Sequence, residues 1–130
     1  MSKKLNKMNK KIITAIVEDE PSNSMFLKTA MEIKGHTIIT FESAEEFIDY
    51  LEGKDVDLVM MDIKLKAMNG YDATRLIKKK YPDLKIIAQT AYALSGDREK
   101  ALEAGCDCYI SKPIDIEKLY RVVDDCLERE

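Results

Sequence analysis

Residues 56–62 read VDLVMMD, an apolar run of the kind found in buried strands that ends on a carboxylate. Three other runs, far apart in the chain, end on polar residues in the same way, at Val17-Glu18-Asp19-Glu20, Ile87-Ala88-Gln89-Thr90 and Tyr109-Ile110-Ser111-Lys112-Pro113. If these runs are parallel strands, their carboxyl ends lie along one edge of one sheet, where open α/β sheets bind their ligands. Carboxylates, a hydroxyl and an ammonium gathered there predict a site for a divalent cation and a phosphoryl group.

The rest of the chain alternates between strand and helix patterns. Strands are predicted over residues 11–17, 36–41, 56–61, 84–88 and 108–110, and helices follow from Pro21, Ser43, Asn69-Gly70, Ser95 and Asp115. The clearest helix begins with the S-x-x-E capping box of Ser43 and Glu46, and the last is expected to bury Ile116 among its apolar positions. Right-handed crossovers place helices on both faces of a parallel sheet, so we predict an α/β protein with three layers, α/β/α.

Length and charge limit the classes of function. The 130 residues fit one domain, and a formal charge of −3 provides no basic field for direct binding of nucleic acid. No run approaches the roughly 20 apolar residues that span a bilayer, so we expect a soluble, cytoplasmic protein without membrane insertion. Residues 1–10 are rich in lysine and lack the apolar stretch of a secretory signal, which predicts a flexible basic leader or linker.

Cysteine and histidine give weak signals. Cys106, Cys108 and Cys126 are odd in number and are interpreted as buried or partly buried reduced thiols, with soft-metal binding by the C-x-C pair as a minor alternative. His36 is the only histidine and follows Gly35, so we predict a surface residue in a turn. Its isolation argues against zinc binding and against acid–base catalysis by histidine.

The strand-end acids carry the strongest chemical signal. Glu18, Asp19 and Asp62 are expected to converge, and like charges about 4 Å apart repel by roughly 1 to 4 kcal/mol per pair. A hard divalent cation such as Mg²⁺ would offset this repulsion. The alternative for the run Glu18-Asp19-Glu20 is an acidic helix N-terminus favoured by the helix dipole. Asp62 is interpreted as a nucleophile that forms an acyl phosphate, and Lys112 as the point charge for phosphoryl oxygens.

In order along the chain, the segments VEDE, MMDIKLKAMNG, AQTAYA and YISKP resemble the receiver domain of two-component response regulators, including receivers attached to hybrid sensor kinases. The resemblance covers about residues 11–128, which makes 11–130 the receiver domain and 1–10 the leader. It implies a flavodoxin-like, doubly wound sheet of five parallel strands with five helices. It also implies a phosphoacceptor that assists its own phosphorylation and dephosphorylation and is not otherwise an enzyme.

The resemblance further implies a division of roles at the acidic cluster. Asp62 would accept a phosphoryl group from a phosphohistidine on a histidine kinase or a histidine phosphotransfer protein, with Mg²⁺ required. Asp19, Asp62 and the backbone carbonyl of Lys64 would bind the metal, and Glu18 would assist through water. Glu18 departs from the more frequent aspartate of the family but still reaches the site.

The phosphoryl oxygens and the output surface follow from the same resemblance. Thr90 and Lys112 would hold the oxygens, Tyr109 would change rotamer on activation, and the bond before Pro113 would be cis. The switch surface would comprise the fourth helix, the fifth strand and the fifth helix, and would bind a downstream partner or form a homodimer on phosphorylation.

Two further observations concern the loops and the rival functions. Lys66 and Ala67 stand where the family often has proline and glycine, and Lys64 and Tyr92 are expected to flank the path of an attacking water and slow hydrolysis of the acyl phosphate. The alternatives are a receiver that binds partners without phosphorylation, a flavodoxin-like carrier of FMN and a hydrolase that turns over an aspartyl phosphate. Such a hydrolase usually needs a second aspartate two residues past the nucleophile, where this chain has Lys64. The FMN carrier should have a Ser/Thr/Gly-rich loop after the first strand, where this chain has three acids.

Overall fold

The fold was taken from a computed structural model, in which residues 11–91 and 96–129 are described. The described strands are β1 (Ile13–Val17), β2 (Thr37–Phe41), β3 (Leu58–Asp62), β4 (Lys85–Thr90) and β5 (Cys108–Ser111). The described helices are α1 (Pro21–Ile33), α2 (Ala44–Leu51), α3 (Gly70–Lys80), α4 (Asp97–Ala104) and α5 (Ile116–Glu128). The predicted leader at residues 1–10, the predicted helix start at Ser95 and the predicted water-path residue Tyr92 lie outside the described residues.

The five described strands are all parallel, in the order β2-β1-β3-β4-β5. One face of the sheet packs against α2, α3 and α4, and the other face packs against α1 and α5. Strand β3 lies in the middle and is buried over its whole length, because helices cover both of its faces. The predicted flavodoxin-like α/β/α architecture is therefore confirmed.

Strands β3 and β4 extend further than predicted at their carboxyl ends. Asp62 is the last residue of β3 and Thr90 is the last residue of β4, since Asp62 pairs with Gln89 and Thr90 pairs with Ser111. The polar residues are thus part of the ladder, and backbone hydrogen bonds hold their positions.

Side chains that accept backbone N–H groups start most of the helices. Glu20 accepts from Ser22 N and Asn23 N at the start of α1, and Ser43 accepts from Glu46 N at the start of α2. Asn69 and Asp115 do the same for α3 and α5. The helix-terminus interpretation of the acidic run therefore holds for Glu20 alone, which leaves Glu18 and Asp19 available at the end of the sheet.

The prediction for His36 was wrong. Its side chain is buried, and its Nδ1 lies 2.8 Å from the Thr14 hydroxyl. Gly35 adopts a φ of 100°, and the following His36 N–H donates to Met31 O, which directs the chain straight into β2 beside β1. Burial, with a smaller effect from the Lys34 charge, lowers the pKa of His36 below its ordinary value.

The predicted burial of Ile116 was also wrong, since this residue is 41% exposed. It is the first residue of α5, and the stripe that packs on the sheet begins one turn later, at Leu119, and continues through Val123 and Cys126. The cysteine prediction is confirmed, because all three thiols are free and buried. Among the described residues, none of the helices has the length and apolar character needed to cross a membrane.

Candidate functional site

Three carboxylates meet at the carboxyl ends of the neighbouring strands β1 and β3. Val17 pairs with Met61, so Glu18, which follows Val17, is level with Asp62 on the neighbouring strand. Glu18, Asp19 and Asp62 each offer a carboxylate oxygen, and these oxygens lie within 4.8 Å of one another. Glu18 is 2% exposed and Asp62 is 4% exposed. The cluster is a group of hard oxygen donors that could hold a metal ion.

Lys112 supplies a positive charge to this cluster from the end of β5. Its Nζ lies 3.4 Å from Glu18 Oε1 and 3.7 Å from Asp62 Oδ1. The backbone N–H of Lys112 donates to Thr90 O at 2.7 Å, and the following bond to Pro113 is cis, as predicted. The turn after β5 therefore fixes the point at which the lysine stem leaves the sheet.

The environment of Asp62 disfavours its ionised form. Burial, followed by the hydrogen bond and the negative charge of Glu18, raises the pKa of Asp62 from 3.8 to about 6. The Lys112 charge and the backbone N–H of Lys64 act in the opposite direction but do not cancel these effects. The site thus concentrates negative charge that a bound cation would stabilise.

The loop after β3 wraps around the acids through its backbone. Lys64 N donates to Asp62 Oδ1 and Lys66 N donates to Asp19 Oδ2, each at 3.2 Å. The family that the sequence resembles often has a proline at position 66, and a proline there would have no N–H to donate. Gly70 closes the loop, because a Cβ there would collide with Asp62 O and lie 2.8 Å from Ile63 Cα.

Thr90 and Tyr109 lie on the other side of the sheet from Asp62. Ala88 belongs to the core beside α2, α3 and α4, so Thr90, two residues later, faces the same layer. Thr90 borders a groove of about 490 Å³ together with Lys64 and Asn69. Tyr109 packs against the same core and borders a groove between α4 and α5. The side chains of the predicted switch pair therefore share one layer.

Sequence reasoning assigned no role to Asn23, which contacts the cluster, or to Gln89, which contacts Asn23. Asn23 Nδ2 donates to Glu18 Oε1 and also to Gln89 Oε1, the latter at 3.2 Å. Gln89 is fully buried and pairs with Asp62 in the β3–β4 ladder. A single amide inside the apolar run of β4, at the level of Asp62, is the sequence signal that could have identified it.

Comparison with known proteins gives a consistent result. Residues 14–124 match the family described as the response regulator receiver domain. The polar-differentiation response regulator DivK of Brucella ovis is 32% identical over 114 residues, which are 86% of this chain and 93% of that protein.

Solved structures agree with this assignment. The receiver domain of sensor histidine kinase PA1611 from Pseudomonas aeruginosa, solved with a magnesium ion coordinated in its active site cleft, is 30% identical. It superposes with a TM-score of 0.84 and covers 92% of this chain and 100% of that chain. A response regulator from Chloroflexus aurantiacus, 23% identical, has the same fold with a TM-score of 0.88, over 92% of this chain and 100% of its own. The chain therefore belongs to the family of response regulator receiver domains of two-component systems.

Proposed function

We propose that this receiver domain accepts a phosphoryl group on Asp62 in a two-component phosphorelay. The observation that carries the proposal is the convergence of Glu18, Asp19 and Asp62 with the Lys112 ammonium at the end of β3. Asp62 is the acid that both Lys112 and the Lys64 backbone approach, so its carboxylate is oriented from two sides. An oriented carboxylate beside a cation is what attack on phosphorus requires.

The donor set fits Mg²⁺. Three carboxylates face one Lys112 ammonium, so the cluster has an excess of negative charge, and oxygen donors suit a hard dication. We propose that Asp19, Asp62 and the backbone carbonyl of Lys64 bind the metal and that Glu18 assists through water. When bound, Mg²⁺ would neutralise charge on the transferring phosphoryl oxygens. The magnesium reported in the cleft of the Pseudomonas receiver supports the same choice of metal.

The reaction needs little covalent chemistry from the protein. An Asp62 oxygen forms a bond to phosphorus while the bond from phosphorus to the donor imidazole nitrogen breaks, and the imidazole leaves with the electron pair. Lys112 compensates charge on the phosphoryl oxygens, and the Thr90 hydroxyl donates to one of them. The donor is a phosphohistidine on a histidine kinase or a histidine phosphotransfer protein. The domain takes one phosphoryl group per chain and assists its own dephosphorylation.

The output step changes the surface formed by α4, β5 and α5. The phosphoryl group adds nearly two negative charges next to Thr90, and movement of its hydroxyl would leave room for Tyr109 to turn inward. Both side chains border the layer that contains α4, which supports this coupling. The changed surface binds a downstream partner or a second copy of the chain. Tyr109→Ala should remove the dependence of that binding on phosphorylation, and unchanged dependence would contradict the switch.

Intact mass spectrometry tests the central step. The purified protein is incubated with MgCl₂ and acetyl phosphate, and one phosphoryl group should be added to the wild type. Asp62→Asn and the wild type in EDTA are the controls, and neither should gain mass. Asp19→Asn should lower the yield at limiting Mg²⁺.

The same experiment separates the rival functions. A wild type that gains no mass in Mg²⁺ and acetyl phosphate, yet retains a binding partner, would indicate a receiver that acts without phosphorylation. An FMN carrier would purify with a yellow chromophore. Equal mass gain in the wild type and in Asp62→Asn would contradict the assignment of the acceptor.

A further inference from the structure

The buried amide of Gln89 is the feature of this site that the proposed reaction does not use. The residue is fully buried in a central strand, and among the described residues its Nε2 has no hydrogen-bond partner. Burial of an unpaired amide donor costs free energy, and a leucine or methionine would fill the position without that cost. A polar residue placed there at a cost to stability points to a role in the site.

The amide oxygen of Gln89 is linked to the acidic cluster through the side chain of Asn23. Gln89 Oε1 accepts a hydrogen bond from Asn23 Nδ2 at 3.2 Å, and the same nitrogen donates to Glu18 Oε1. The amide oxygen of Gln89 therefore faces a donor, which fixes the orientation of its side chain. Asn23 lies in the first turn of α1, where its backbone N–H is bonded to the Glu20 cap. Its side chain thus leaves a rigid helix start.

Two donors, the Asn23 amide and the Lys112 ammonium, compete for one oxygen of Glu18, Oε1. Asn23 Nδ2 and Lys112 Nζ both contact this oxygen, the latter at 3.4 Å, while Glu18 Oε2 accepts from Glu20 N at 3.2 Å. Without the Asn23 amide, the Glu18 carboxylate would turn toward the Lys112 ammonium. That movement would change the position of Glu18 relative to Asp19 and Asp62, with which it would share the ion, and would draw the ammonium away from Asp62.

We propose that Gln89 and Asn23 are positioning residues that hold the Glu18 carboxylate for Mg²⁺ binding, with Gln89 acting through Asn23. The proposal rests on the proposed phosphoacceptor function and adds two residues to its machinery. Neither residue touches the phosphoryl group. Their effect reaches the reaction through the orientation of Glu18 and through the freedom of Lys112.

Binding of Mg²⁺ to the unphosphorylated protein tests the relay without reference to activity. The variants are Asn23→Ala, Gln89→Leu and the double variant, with Thr29→Ala on the exposed face of α1 as the matched control. Each ¹⁵N-labelled protein is titrated with MgCl₂ and followed by amide chemical shifts. Asn23→Ala should raise the Kd for Mg²⁺ about tenfold, the lower end of the loss expected for an outer-shell partner, because Glu18 would contact the metal through water. Gln89→Leu should raise it about threefold, because Asn23 stays in place but is less well oriented.

Two further readouts separate positioning from a structural role. The double variant should have the Kd of Asn23→Ala, since Gln89 has no route to the metal once Asn23 is gone. Gln89→Leu should unfold at the same or a higher urea concentration than the wild type in EDTA, because the unpaired buried amide is removed. Saturating Mg²⁺ should restore most of the phosphorylation rate in both single variants.

The outcomes distinguish failure of the relay from failure of the function. Normal Mg²⁺ binding and phosphorylation in the wild type, with an unchanged Kd in Asn23→Ala and Gln89→Leu, would overturn the relay alone. The relay alone would also be overturned if the double variant raised the Kd for Mg²⁺ by the product of the two single effects. A wild type that neither binds Mg²⁺ nor gains a phosphoryl group would overturn the proposed function and the relay together.

Discussion

Replacement of Asp62 by asparagine should stabilise the metal-free protein. The Asp62 carboxyl group is buried beside Glu18, and its pKa in the folded protein is about 6, against an ordinary value of 3.8. The folded state therefore binds this proton more tightly than the unfolded state does. Stability linked to Asp62 is thus fully present below about pH 3.8 and is lost as the pH rises through about 6. Asparagine keeps the shape of the side chain and removes the charge.

The magnitude follows from the size of the shift. A rise from 3.8 to about 6 is about two pKa units, and each unit corresponds to about 1.36 kcal/mol. Asp62→Asn should therefore raise the free energy of unfolding by up to about 3 kcal/mol at pH values well above 6, and by less than about 1 kcal/mol near pH 4. With a urea dependence of about 1 to 3 kcal/mol per molar, a gain of about 3 kcal/mol should raise the unfolding midpoint by about 1 to 3 M.

Urea unfolding in EDTA, followed by circular dichroism near pH 8 and near pH 4, measures this effect. Asp49→Asn, which removes an exposed carboxylate from α2, is the matched control and should change stability by less than about 0.5 kcal/mol. Mg²⁺ should stabilise the wild type more than Asp62→Asn, because only the wild type retains the complete cluster. The reasoning is refuted if Asp62→Asn is no more stable than the wild type near pH 8, or if its advantage does not shrink toward pH 4.

Three other substitutions test separate parts of the site. Lys112→Met should slow phosphorylation by acetyl phosphate about 100-fold, as loss of one charge-stabilising donor does, and a rate within a few-fold of the wild type in a mass time course would exclude that role. Lys64→Ala should speed decay of the phosphorylated protein, because a small residue leaves the approach of water to Asp62 open; an unchanged decay of the added mass would argue against shielding. Gly70→Ala should lower the free energy of unfolding by about 1 to 3 kcal/mol, since its Cβ would collide with the backbone of the loop after β3, and a wild-type urea midpoint would show that the loop can move aside.

Much of the candidate site could be predicted from the sequence because strand direction and strand ends are local signals. Apolar runs separated by helical patterns require a parallel sheet, and parallel strands bring their carboxyl ends to one edge. Glu18, Asp62, Thr90 and Lys112 each follow or end such a run, so their placement along one edge of the sheet follows from the topology. Their roles in phosphorylation remain predictions until the variants are measured.

The tertiary structure decided how neighbouring residues divide their work. Three adjacent acids look alike in sequence, yet Glu20 caps α1 while Glu18 and Asp19 join the cluster. Gln89 and Thr90 are adjacent on β4, yet they face opposite layers, and only the packing of α1 brings Asn23 onto Gln89.

His36 depended on its surroundings in the same way, because the pairing of β2 with β1 places it beside Thr14, whose hydroxyl contacts its buried ring nitrogen. The sequence by itself determined the order of strands and helices along the chain and the row of polar residues at the strand ends, since both follow from local periodicity. Only the tertiary structure decided which side chain each polar group contacts, because that depends on strand register and on how the helices pack across the sheet.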